Sequence, residues 1–458
     1  MTAPERVLSR RTIATYAIGS LGTGGFATLP GLVLVYFLTD TLGIAALAAG
    51  LLVTAAKVWD VVIDPVIGAR SDHSLAVHGT RRRFMVIGAL LLPVFFILTF
   101  AVPAGLGPVV SGAWVLLAFV LTATAFSLFQ VPYIALPAEL TDGYDQRTRL
   151  ISVRVVVLTF AILLFGAGGP ALRALGGDNE HLGYLIMAIV AGVVIGGGML
   201  ASSFVAEHRA PAPAARPSLA ANYRDGLAAL RRSQPFRALL GTFALQGLAT
   251  GVMLAGAQYV ATWVLVSEDA VTFLFVALIA PALLFAPVWQ AVARRIGKER
   301  GFVIASALFG IAALSMIGLV WAPGAWVYAP VALAGAGYAG MQSLPMAMLP
   351  DVISHDSALH GDGSAGTFSG VWTAGETTGM ALGATLLTVV LAVTGYAESA
   401  GATTVVQAPT AVAGIVLSFS AVPAVLIALS IVIFRRYPLR RRDIDLRTAP
   451  DAAAGVAA

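Results

Sequence analysis

Lys57, Asp60 and Asp64 interrupt a long apolar stretch, AKVWDVVIDPVIGARSD, and they are the residues best able to do chemistry there. On a helix turning about 100° per residue they project within about 60° of one another, so one face carries all three. Ionised side chains within a membrane are costly and must face a cavity or a partner. Two carboxylates against one ammonium make a site for a small cation or a proton, with the lysine occupying it when the ion is absent. The alternative is that Lys57 neutralises one carboxylate in an ion pair that fixes packing, which leaves one acid over.

Glu376 is the second such group. It follows Trp372 by four residues and shares its helical face. It is either an acid held by a hydrogen bond for packing, or a proton-carrying or substrate-binding group facing Asp60 and Asp64 across a cavity. Three acids against Lys57 and Arg154 would favour proton coupling, because like charges resist being ionised together. Gln130, Tyr133, Gln246, Gln258 and Gln342 are polar positions in otherwise apolar segments. Each is expected either to line a solute pathway or to join two helices by a hydrogen bond.

The elements that hold these residues follow from composition. Only 11% of the 458 residues are charged and 58% are hydrophobic, with a mean hydropathy of +0.87, which marks a membrane protein. Twelve apolar stretches are long enough to cross a hydrocarbon core of about 30 Å. They fall near 12–38, 43–69, 84–103, 108–136, 150–170, 182–205, 236–264, 271–293, 301–321, 325–348, 364–394 and 409–434. Placing both termini in the cytoplasm puts nearly all of the 28 lysines and arginines inside; Arg173 falls in an outer loop, and Lys57 and Arg154 lie within or near spans. The expected location is a plasma (inner) membrane. Arg6, Arg10 and Arg11 precede a stretch too long for a cleaved leader, which is read as the first span.

The same inventory narrows the chemistry. With no cysteine there is neither a disulfide nor a thiolate, and the six histidines all fall in predicted loops without metal-ligand spacing. No metal beyond a transported sodium and no bound cofactor is expected. The basic tail RRYPLRRRDIDLR is read as a topology signal and an attraction to anionic membrane lipid, with no nucleic-acid partner. The spacing of Asp60, Asp64 and Asp72 also fits the aspartate-rich magnesium sites of membrane prenyltransferases, but the second acidic cluster such an enzyme needs would have to be Asp351 and Asp356 in a loop. No catalytic residue is therefore assigned.

An internal repeat supplies the architecture. VPYIALPAELTD matches LPMAMLPDVISHD, with Pro132 on Pro345 and Pro137 on Pro350, and Pro65 has a weaker counterpart in Pro287. Repeats about half the chain apart imply two six-span halves of the same orientation, with a solute site at the midplane between them. The expected fold is an all-α membrane protein of twelve transmembrane helices, divided as 1–206, a cytoplasmic linker 207–237, 238–435, and a basic then disordered tail 436–458. Residues 218–232 of the linker could form a short surface helix. Asp72, Arg81, Arg82, Glu139, Asp142, Arg147 and Arg149 are expected to act as a cytoplasmic gate whose opposite charges latch the halves.

KVWDVVIDPVIGARSDHS followed by GTRRRF, then VPYIALPAELTDGYDQRTRLISVR, and GYAGMQSLPMAMLPDVISHD with GTFSGVWTAGETTGMALGATLLTVVLAVTGY, resemble the signatures of the glycoside-pentoside-hexuronide:cation symporters, the melibiose permease-like branch of the major facilitator fold. The resemblance runs from about 11 to 396. It implies a symporter, expected to be a monomer, that couples import of a sugar-like solute to a co-transported proton or sodium. Asp60 and Asp64 take the cation position and Arg154 that of a sugar-contacting arginine. Departures are Gly24 and Gln130 where the family's sugar carriers have aspartates, Ile63 in place of an asparagine, and Glu376 in place of a lysine. An exporter of drugs or metabolites on the same fold is the alternative reading.

Overall fold

The computed structural model describes residues 8–141, 144–206, 230–267, 269–360, 365–399 and 405–439. Among them every regular element is a helix. In chain order these are α1 Arg10–Thr41, α2 Ala46–His78, α3 Arg82–Phe100, α4 Pro108–Leu140, α5 Tyr144–Ala174, α6 Glu180–Ser203, α7 Gln234–Val264, α8 Ala270–Ile296, α9 Lys298–Val320, α10 Tyr328–His360, α11 Ala365–Val393 and α12 Pro409–Phe434. Eleven are long and apolar enough to cross a membrane. The remaining one, α10, is just as long at 33 residues, but Gly335, Gly337, Gln342 and Ser343 dilute its apolar character.

Helix is the expected outcome, since a chain this apolar must satisfy its backbone donors and acceptors within each segment. Prolines inside α2, α3, α4, α5, α8 and α10 are tolerated for the same reason: neighbouring helices re-satisfy the freed carbonyls. The two halves of the sequence echo one another beyond the proline pairs. Both α1 and α7 close on a π-turn, at Phe37–Thr41 and Val260–Val264, a local widening that often accompanies function. After α2, Gly79 takes a left-handed conformation (φ +70°), and after α8 Gly297 does so (φ +95°). Each turns the chain sharply into the next helix, setting Arg81 just before α3 and Lys298 at the start of α9.

The described residues fall into two compact units. One takes those of Met1–Leu219 with Ala257–Phe275 and Ala384–Ala411; the other takes those of Ala220–Gly256, Val276–Gly383 and Val412–Ala458. In the first, α3 lies along α4 and α6, α1 along α5 and α6, and α2 along α4, around a core of Phe26, Phe37, Phe96, Phe100, Phe129 and Tyr184. The second packs α9 against α10 and α12.

Two sequence expectations change. Arg173 is not a loop residue: it sits in the last turn of α5, donating to the Tyr184 hydroxyl at 3.2 Å. His73, His78, His181, His355 and His360 lie on helices, because α2 and α10 run about 50 Å and overshoot the hydrocarbon core. Of the expected surface helix 218–232, residues before 230 lie outside the described residues, as does Asp142.

Candidate functional site

The face read from the sequence forms on α2. Lys57 Nζ lies 3.1 Å from Asp60 Oδ2 and stands over the Phe26 ring at 5.4 Å. Asp60 is only 8% exposed. Its Oδ1, and Oδ1 of Asp64, are buried without any hydrogen-bond partner among the described residues, while Ser127 of α4 lies beside Asp64. An unmet buried acceptor costs about 1–3 kcal/mol, and more when it is charged. One ammonium cannot satisfy two carboxylates, and a proton or a small cation is the chemistry that meets the remaining acceptors.

Beside this face, α1, α4 and α5 place the next group. Tyr133 is fully buried, donates to the Tyr16 carbonyl at 2.9 Å, pairs with Ser20 at 3.0 Å and stacks on Tyr16. That corrects its expected role: with its hydroxyl spent and its ring sealed, Tyr133 is a packing residue. The Arg154 guanidinium stands 5.2 Å over its ring, and Arg154 Nε is buried without a hydrogen-bond partner among the described residues. Gln130 is half-buried and accepts from Thr23 at 2.7 Å. Gly24 explains one departure from the sugar carriers. A Cβ there would fall 2.7 Å from Ala161 Cβ and 3.0 Å from the Leu158 carbonyl, so α1 and α5 meet where a carboxylate would otherwise project.

In the second unit, Gln246 is buried and donates to Ser306 at 2.9 Å and to Ser430 at 3.3 Å, tying α7 to α9 and α12. Gln258, in the first unit, is equally buried and donates to Thr262 on its own helix. Both amides donate within the helices, and the side-chain oxygen of each is buried without a hydrogen-bond partner among the described residues. Trp372 is buried too, stacked on Phe243 at 4.4 Å. Glu376, one turn along, is half-buried and makes no hydrogen bond among the described residues; its charge bears on Tyr338, to whose hydroxyl Gln342 donates at 2.8 Å.

The charged residues at the Arg81 end brace each half separately. Arg81 reaches Glu139 of α4 at 2.6 Å, Ser71 at 2.8 Å and also Asp72 of α2. In the second unit Lys298 reaches Asp351 at 2.6 Å and Arg232 reaches Asp356 at 2.5 Å. These bridges run within a unit, which corrects the expectation of a latch made by Arg81, Asp72 and Glu139 themselves: the loop after α2 is anchored to its own α4. Arg82 stacks on Phe204 at 4.2 Å, and Arg149 is exposed. The Arg147 side chain lies outside the described residues.

A cluster the sequence reading missed lies at the opposite end of the first unit. Asp40, buried in the π-turn of α1, accepts from Tyr396 at 2.6 Å and from Thr39, and Thr39 also meets the Tyr259 hydroxyl at 2.6 Å. Ser399 donates to the Asp40 carbonyl at 2.7 Å, and Glu398 accepts from the Ala46 amide at 2.7 Å. Burial and the neighbouring Asp40 charge push the Tyr396 phenol well above its ordinary range, so it stays a donor at any physiological pH. Chain segments from both halves of the sequence thus share one hydrogen-bond network. The only sequence signal was an aspartate ending an apolar stretch, which by itself reads as an ordinary helix end.

Comparison with known proteins agrees with this architecture. The chain is 26% identical to a glucuronide carrier protein homolog of Escherichia coli over 442 residues, covering 94% of this chain and 93% of that one. It is 24% identical to the inner membrane symporter YicJ of the same organism, covering 94% and 92%. Among solved structures, a D-xylose-proton symporter superposes with a TM-score of 0.67 at 13% identity, covering 93% of this chain and 98% of that one, a likeness of fold. The family described as MFS/sugar transport protein matches residues 15–441. With that match spanning nearly the whole of a multi-pass helical chain, the protein belongs to the MFS/sugar transport protein family.

Proposed function

We propose that this protein is a cation-coupled secondary active symporter that imports a small solute by alternating access, with a sugar or glycoside as the first class to try. Both termini face the cytoplasm of a plasma membrane, the arrangement favoured by the distribution of arginine and lysine. The observation that carries the reading is the α2 face, where two buried carboxylate oxygens lack a donor among the described residues beside a single ammonium. A site of this kind binds a cation when Lys57 yields and releases it when Lys57 returns. The names of the relatives, a glucuronide carrier homolog and a symporter, support the same direction.

Solute contacts are assigned to Gln130 and Arg154 of the first unit and to Gln342 and Glu376 of the second, the half-buried members of the sequence-derived set. Gly24 removes one sugar-binding carboxylate, so a less hydroxylated or a cationic solute is to be tried beside the glycosides. The coupling ion in this reading is the proton, because Ile63 offers no neutral oxygen ligand and Glu376 adds a third acid. The Asp40, Tyr396, Thr39 and Tyr259 network serves as the outer gate, made when the cavity opens inward. Inner closure is assigned, from the sequence alone, to Asp142 and Arg147.

The test is uptake into proteoliposomes, using the glycoside or amine that gives the largest thermal shift on the purified protein. Accumulation driven by an inward proton or sodium gradient supports import. Accumulation driven only by the opposite gradient would make the protein an exporter.

A further inference from the structure

A groove of about 420 Å³ opens between the last turns of α2 and the first turn of α3, lined by Ala69, Arg70, His73, Ser74, His78, Arg83 and Phe84. Arg70, His73, His78 and Arg83 are all exposed. The neighbouring acid, Asp72, is engaged by Arg81, and neither Arg70 nor Arg83 has an ion-pair partner among the described residues. The α2 helix, at 33 residues, runs about 50 Å, so its last two turns stand at the level of the lipid headgroups.

The α3 wall shows what lies above the groove. Arg83, Ile87, Leu90 and Val94 follow one another at spacings of four, three and four and share one helical face. The three apolar members are each about half exposed (49%, 55% and 51%), as expected of a surface that meets acyl chains. A cationic groove thus continues directly into an apolar stripe. A free anion would use the first and have no use for the second.

We infer that this groove binds the phosphate headgroup of an anionic phospholipid, whose acyl chains lie along Ile87, Leu90 and Val94. Arg70 and Arg83 supply the fixed charge, and the two histidines supply further hydrogen-bond donors. The site is separate from the cation face of α2 and does not depend on which solute is carried.

The experiment is native mass spectrometry of the full chain after delipidation, with phosphatidylglycerol or phosphatidylcholine added back. The parent should retain phosphatidylglycerol over phosphatidylcholine. Arg70→Gln and Arg83→Gln should each weaken retention roughly five-fold, as loss of one cation near an anionic headgroup implies. The Arg70→Lys and Arg83→Lys double variant should keep most of it, and Arg300→Gln, at an exposed arginine elsewhere, should change nothing. Equal retention of the two lipids by the parent overturns the proposal whatever the variants do. So does displacement of phosphatidylglycerol by excess inorganic phosphate, which would make the groove a plain anion site. A loss as large in Arg300→Gln would reduce the effect to overall charge and overturn it too.

Discussion

Lys57 reaches Asp60 at 3.1 Å on the same face of α2, and the unsatisfied oxygens of Asp60 and Asp64 lie beyond its reach. One ammonium shared unequally between two carboxylates is an arrangement that an incoming cation can rearrange. Asp60→Asn and Asp64→Asn should each reduce gradient-driven accumulation to simple equilibration while the protein still folds and inserts. The check is concentrative uptake beside detergent-solubilised yield. A variant that concentrates solute like the parent would remove the cation assignment.

Lys57→Ala should act mainly on the protein without its cation. Removing one partner of a largely buried pair destabilises by about 1–3 kcal/mol, and added cation should recover part of that. Thermal unfolding with and without the coupling ion distinguishes this from plain structural pairing, in which the loss would be the same in both conditions.

Much of this site could be read before any coordinates, because spacing on a helix is enough to put Lys57, Asp60 and Asp64 on one face. The proline pairs likewise revealed the repeat that the π-turns of α1 and α7 now repeat in detail. Burial is what polarity alone could not give. Tyr133, Gln246 and Gln258 read as pathway residues because they are polar in apolar spans; the Tyr133 hydroxyl is fully engaged between helices, whereas Gln246 and Gln258 donate to neighbours and keep side-chain oxygens without a partner among the described residues. Arg81 differs in another way: its partners Asp72 and Glu139 were both named and all three lie in 1–206, yet charge alone did not show that they pair with one another, which follows once Gly79 turns the chain from α2 into α3. The Asp40 and Tyr396 pair could not be seen at all, since 356 residues separate them in the chain.

Gly24→Asp tests whether the sugar carriers' carboxylate can simply be restored. The backbone of α5 and Ala161 occupy the space, so overpacking should cost about 1–3 kcal/mol. The expected outcome is a lower unfolding temperature with no gain in glycoside binding. A stable variant with tighter glycoside binding would show that α1 and α5 separate easily and that Gly24 faces the pathway.

Tyr396→Phe should loosen the Asp40 network by about 1 kcal/mol, shifting a gating equilibrium roughly five-fold toward outward opening. The absence of native cysteine makes this direct to follow. With a single Ala261→Cys reporter, buried two residues from Tyr259 in the same unit, an impermeant maleimide should react several-fold faster in the Tyr396→Phe background. An unchanged rate would make the network a fixed structural contact.

Uptake into proteoliposomes under an imposed pH gradient or an imposed sodium gradient, with parent, Asp64→Asn and Glu376→Gln side by side, tests the coupling mechanism most directly. The account predicts that the pH gradient drives accumulation by the parent, that Asp64→Asn equilibrates solute without concentrating it, and that Glu376→Gln flattens the pH dependence while leaving some downhill exchange. Accumulation driven by sodium alone and unchanged by Glu376→Gln would contradict proton coupling through that acid, and concentrative uptake by Asp64→Asn equal to the parent would contradict the cation site itself.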